Sequence, residues 1–133
     1  MSHFSRLGLG TAQWGMNYGI KNVDGKPHSS EVWKILQSAK EHGVNLLDTA
    51  FAYGESEQLL GSLADQIKSF RIVTKTFAIR KAKIVKGDVE TVLNSFHNSL
   101  KKLKAEKVYA LLVHHTHDIL RDGGDRLWDA LVD

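Results

Sequence analysis

Asp48, Tyr53, Lys75 and the pair His114-His115 are side chains that can move a proton or stabilise a developing charge. The spacing around the first two is unusual for a loop. A carboxylate follows the apolar run Asn45-Leu46-Leu47, and a phenol stands five residues further on in Asp48-Thr49-Ala50-Phe51-Ala52-Tyr53-Gly54-Glu55-Ser56-Glu57. A segment that only had to turn would ask for Gly, Asn, Asp or Pro. Each residue alone has a plainer reading. Asp48-Thr49 can cap a turn, Tyr53 can pack on a helix start, Lys75 can be a solvated strand end, and the histidines can be core or surface residues. Their recurrence at equivalent places in consecutive units of the chain argues for a shared task.

Those units are strands alternating with helices. Arg6–Gly10 reads as a first strand, followed by a long polar loop from Trp14 to His28 that holds the only proline, Pro27. Ser30 is expected to cap a helix carrying Val32, Ile35, Leu36 and Ala39 at helical spacing, closed by Gly43. Val44–Leu47 is the second strand and ends at Asp48. A helix is expected from Ser56 to Ile67, and Arg71–Thr74 forms a third strand ending at Lys75. Asp88 is expected to cap a helix whose buried stripe is Val92, Leu93, Phe96 and Leu100. Val108–Val113 is a fourth strand running into His114, and a last helix begins near Gly124. This alternation implies right-handed βαβ units and a parallel sheet. Either an open doubly wound sheet or part of a (β/α)8 TIM barrel fits. In both, functional residues collect at the C-terminal ends of the strands. A complete barrel needs about 250 residues. Residues 1–133 are therefore expected to form one domain, about the first four βα units of such a barrel, with truncation expected from the uncapped amphipathic end Asp129–Asp133.

Composition narrows the function classes. The apolar fraction is 42%, the charged fraction 25% and the formal charge +3, all ordinary for a globular chain. The lysines are scattered apart from Lys101-Lys102-Leu103-Lys104, which suits a helix C-terminus. No continuous basic face with interleaved aromatics suggests a nucleic-acid partner. With no cysteine, thiol catalysis and cysteine metal sites are excluded. No apolar run approaches the roughly 18 residues of a membrane span, and the N-terminus lacks a signal-peptide core. A soluble cytoplasmic protein is the expectation.

Four stretches together resemble the N-terminal half of an aldo-keto reductase. They are Leu7-Gly8-Leu9-Gly10-Thr11-Ala12, the segment from Asp48 to Gly61 with its DTA-x-x-YG-x-SE-x-x-LG pattern, Val73-Thr74-Lys75, and Val108–His114. The second is highly specific and the others are weaker. The resemblance implies an NADPH-dependent reductase of aldehydes or ketones, acting on a small-molecule carbonyl substrate. It implies a catalytic set of Asp48, Tyr53, Lys75 and His114. By the same resemblance Thr11, Ala12, Gln13 and Asp48 approach the nicotinamide end of the cofactor, and Trp14 and His115 are candidate pocket walls. Tyr109 departs from the pattern, since many members carry an aspartate there. The loop from Trp14 to His28 resembles a bacterial branch. Nothing in the chain corresponds to the half-barrel that supplies most pyrophosphate and adenosine contacts. The 133-residue piece alone is expected to be inactive.

The residue types suit that chemistry. Carbonyl reduction needs a hydride at carbon, which no side chain supplies, and a proton at oxygen. A phenol is a weak acid, with an ordinary pKa of about 10, and a nearby ammonium stabilises its anion. Lys75 is assigned that task, Asp48 the task of holding Lys75, and His114 a hydrogen bond to the carbonyl oxygen.

Rival readings are a metal site at His114, His115 and His117, a non-catalytic half-barrel or regulatory subunit, and an open nucleotide-binding domain. Adjacent strand residues point to opposite faces, so His114 and His115 are expected to diverge and no metal is expected. The nucleotide-binding domain lacks its G-x-G-x-x-G turn. Exposed half-barrel edges favour self-association.

Overall fold

The computed structural model describes residues 6–133. Its four strands are β1 (Leu9–Gly10), β2 (Leu46–Asp48), β3 (Arg71–Lys75) and β4 (Ala110–Leu112). They form one parallel sheet in the order β1-β2-β3-β4. The helices are α1 (Ala12–Gly15), α2 (Ser29–Glu41), α3 (Ser56–Ser62), α4 (Ala64–Ile67), α5 (Lys86–Leu103), α6 (His117–Leu120) and α7 (Gly124–Val132). Sequential parallel neighbours joined by helices are the arrangement of consecutive barrel units. An open doubly wound sheet would instead reverse its strand order at a switch point.

The helices cover one face of the sheet. Val32, Leu36 and Ala39 of α2 are buried and meet Leu47 of β2, Ile72 of β3 and Leu60 of α3 in the larger core. A second core joins Ile79 and Ile84 to Val89 and Val92 of α5 and Leu127 of α7. Burial falls off at the sheet margin, where Tyr109 and Leu112 are exposed.

Several boundaries differ from the sequence expectation for local reasons. His28, not Ser30, caps α2, and its ring accepts from the Ser30 amide at 3.4 Å. The expected helix from Ser56 to Ile67 is two helices, interrupted at Leu63. Gly61 and Ser62 are weak helix formers placed in succession, and the Ser62 hydroxyl donates back to the Leu59 carbonyl at 2.6 Å. Asp88 is not the cap of α5 but its third residue, with a carboxylate that accepts from the Val85 amide at 3.0 Å. The fully buried stripe of α5 runs through Val89, Val92, Ser95, Ser99 and Leu103, while Leu93, Phe96 and Leu100 are only partly covered. The single turns α1 and α6 were not expected. They are too short for a periodic pattern to register.

Candidate active site

Strand register explains why distant residues meet. In parallel pairing Asp48 stands beside Val73, and Lys75 stands beside Leu112. Side chains two residues apart on a strand share a face. Lys75 therefore lies one step above Asp48 on the same face, while His114 stands two residues past Leu112, beyond the end of β4. Asp48 and Lys75 thus share the sheet face away from the helices. Leu47, Ile72 and Thr74 take the helix-facing positions and are buried.

The predicted ion pair forms. The Lys75 ammonium contacts the Asp48 carboxylate directly and also donates to the Thr49 carbonyl at 3.0 Å. Lys75 is the more enclosed partner, at 14% side-chain exposure against 38% for Asp48. The lysine is thus fixed from two sides while the carboxylate keeps an open edge. Tyr53 completes the group. The Lys75 ammonium lies 4.9 Å from the centre of the Tyr53 ring, within cation–π range. The ring meets His114 edge-on at 6.3 Å between centres. Asp48, Tyr53, Lys75 and His114 are therefore brought together at one rim.

The Tyr53 loop is seated on backbone. The Glu55 amide donates to the Gly15 carbonyl at 3.1 Å, and the Ser56 amide donates to the Tyr53 carbonyl at 3.1 Å. Gly54 adopts φ +57°, and a Cβ there would lie 2.4 Å from the Gly15 carbonyl oxygen. Only glycine fits that left-handed, crowded position.

The other predicted residues are placed less uniformly. Thr11 is fully buried, and its hydroxyl donates to the Asp48 carbonyl at 3.0 Å. Ala12 is half-buried and Gln13 exposed, with the Gln13 amide group donating to the Tyr18 carbonyl at 3.1 Å. Trp14 turns into the core with Val32, Leu36 and Leu60. It also borders a cavity of about 920 Å³ beneath the long loop, along with Gln13, Tyr18, Lys26 and His28. That cavity shares no residue with the Asp48–Lys75 group. His115 is exposed beside His114. The expected divergence of the two rings is not observed, since they stack at 5.1 Å with a 25° tilt. The regular strand ends at Leu112, so the alternation of faces no longer applies where the histidines stand. Among the described residues no group of three or more His, Asp or Glu side chains is arranged to hold a metal ion.

Asp118 is a contributor that sequence reasoning missed. It is buried, accepts from the Ile79 amide at 3.0 Å and pairs with Arg121 at 3.1 Å. Its own amide donates to the His115 carbonyl at 2.8 Å. The loops after β3 and β4 are thereby pinned to each other. The signal was weak, because an acid after three histidines reads equally well as a helix start.

His114 titrates below the ordinary histidine value. Burial is the main cause, the charges of His115 and Lys75 add to it, and Asp118 and Asp48 oppose it. Its Nδ1 is buried with no hydrogen-bond partner. The proton binds more weakly in the folded chain, so on acidification the unfolded state protonates first. Stability should fall as pH drops below about 6.5, the unfolded histidine value, and level off below the folded value. Urea midpoints on both sides of that pH will show the loss, and His114→Gln should reduce it. An equal slope in the variant would assign the effect to other groups.

A parallel sheet of sequential strands joined by helices, with polar side chains gathered at the C-terminal strand ends, is one half of a β/α barrel. Within that class the chain belongs to the Aldo/keto reductase family, whose model matches residues 6–132. Two solved structures from Pseudomonas aeruginosa, each described as a putative aldo-keto reductase, are similar to it. One is 31% identical with a TM-score of 0.77, covering 97% of this chain and 50% of that one. The other is 30% identical with a TM-score of 0.76, covering 97% and 49%. The holo form of aldo-keto reductase AKR11C1 from Bacillus halodurans shares the fold at 23% identity and a TM-score of 0.64, covering 96% of this chain and 41% of that one. The chain thus spans about half the length of these relatives. A search of curated proteins gave no significant match. No helix among the described residues is long and apolar enough to cross a membrane.

Proposed function

We propose that, within a complete barrel, this rim reduces an aldehyde or ketone to an alcohol with NADPH. The observation that carries the reading is the Asp48–Lys75 pair set against the Tyr53 ring, with His114 on the ring's edge. The residues suit the reacting end of a nicotinamide cofactor. His114 presents a buried ring nitrogen without a partner, and Asp48 keeps an exposed edge beside Lys75. When bound, the nicotinamide supplies the hydride. Tyr53 gives its hydroxyl proton to the carbonyl oxygen, and the Lys75 ammonium stabilises the phenolate left behind. Asp48 and the Thr49 carbonyl hold Lys75 in place. His114, neutral above its lowered pKa, donates a ring N–H to the substrate oxygen and orients it. His115, exposed and stacked on His114, is the proposed pocket wall on that side. Thr11 acts by setting the position of Asp48, and Trp14 by supporting α1 from the core side.

The test is a titration with NADPH followed by cofactor fluorescence, on the 133-residue chain and on a complete-barrel form. Saturable binding and carbonyl-dependent oxidation are expected only for the complete barrel. A complete barrel that binds no cofactor would favour a regulatory or interaction subunit of the same fold.

A further inference from the structure

We infer that Ser56 is a positioning residue for the Tyr53–Lys75 pair, acting through a buried one-way chain of hydroxyls. The inference rests on the reductase reading above. Ser56 opens α3, where a serine ordinarily caps its own helix. Here the cap position is held by Glu55, whose side chain makes no capping bond, and the Ser56 hydroxyl is engaged elsewhere. It reaches instead across 45 positions to Thr11, at 2.7 Å from the Thr11 hydroxyl and 3.0 Å from the Thr11 carbonyl. The Thr49 hydroxyl lies 3.2 Å away on the other side. Thr11, Thr49 and Ser56 are all at 0% exposure, so water cannot replace a missing partner.

Proton counting sets the direction. Each hydroxyl has one proton to give. Thr11 gives its proton to the Asp48 carbonyl at 3.0 Å. Ser56 then gives its proton to Thr11, and Thr49 gives its proton to Ser56. Every proton has an acceptor, and hydrogen bonds aligned in one direction strengthen one another.

The chain ends where the chemistry is. The Thr49 carbonyl receives the Lys75 ammonium at 3.0 Å. The Ser56 amide donates to the Tyr53 carbonyl at 3.1 Å. Asp48 is held through its own carbonyl. One buried hydroxyl therefore connects the phenol's loop to the groups that fix the lysine and the acid. Removing it leaves the Thr49 proton without an acceptor, and a buried unsatisfied group is costly. Relaxation of the loop is the cheapest response, and it moves Tyr53 relative to Lys75.

Ser56→Ala in the complete-barrel protein should lower kcat by about tenfold to a hundredfold, as expected for a misplacement near 1 Å. KM for NADPH should stay within about twofold of the parent, on the same principle that only positioning is lost. Thr49→Val should act in the same direction, and Thr49→Ser, which keeps the hydroxyl, should retain parent activity. That second pair decides the matter if Ser56→Ala folds poorly. In the 133-residue chain, hydrogen exchange across 49–56 should rise in Ser56→Ala. Lowered melting temperature with unchanged kcat, or Thr49→Val matching Thr49→Ser, would overturn the inference. Absence of reductase activity in the parent would sink the functional reading instead, and unchanged exchange in Ser56→Ala would then overturn the network by itself.

Discussion

Tyr53→Phe is expected to lower turnover of the complete-barrel protein by roughly 10²- to 10⁴-fold, the usual contribution of a positioned acid–base group. The substitution removes one oxygen and keeps the ring. The ring makes the contacts that hold the residue, lying against the Lys75 ammonium and edge-on to His114. Packing, fold and cofactor affinity should consequently survive, and the loss should fall on kcat. Steady-state kinetics with NADPH fluorescence titration separates the two. An unchanged kcat would remove Tyr53 from the mechanism, and a matching loss of cofactor affinity would make its role one of binding.

Gly15→Ala should damage both the fold and the rate. A Cβ at Gly15 would stand 1.9 Å from the Tyr53 carbonyl oxygen and 2.3 Å from the Ser56 nitrogen. Both are backbone atoms, so no side chain can swing aside. Either α1 or the Tyr53 loop must move. Overpacking of this kind costs about 1–3 kcal/mol, and displacement of the phenol should cost a further rate loss of about 10²-fold. Urea denaturation and kcat measured on one preparation will show both effects together. A variant with parent stability and parent rate would mean that the loop is not seated on α1.

The parts of the site that were legible in the sequence are those governed by strand periodicity. Asp48 and Lys75 each follow an apolar strand, and parallel pairing leaves little freedom about where a strand-end side chain goes. The order of strands and helices was readable for the same reason. Elements decided by tertiary contact were not. The serine-lined face of α5 depends on what the helix touches, whereas the cap at His28 and the break at Leu63 turn on short local bonds that a periodic pattern does not register. The stacking of His114 on His115 escaped because a rule for strands was extended past the strand's end. Trp14 was read from its place in the chain after β1, yet its side chain is claimed by the core. Ser56 and Glu57 read as helix-start residues. In the fold Ser56 bonds to Thr11, and the buried Glu57 accepts from the Thr74 hydroxyl at 2.7 Å.

The central claim is that this rim delivers a proton to a carbonyl oxygen while NADPH is oxidised. The most direct measurement is the stoichiometry of NADPH consumed to alcohol formed by the complete-barrel protein across a panel of aldehydes and ketones. One alcohol per NADPH, abolished in Tyr53→Phe, is the predicted result. Bound NADPH that is never oxidised by any carbonyl in the panel would contradict it.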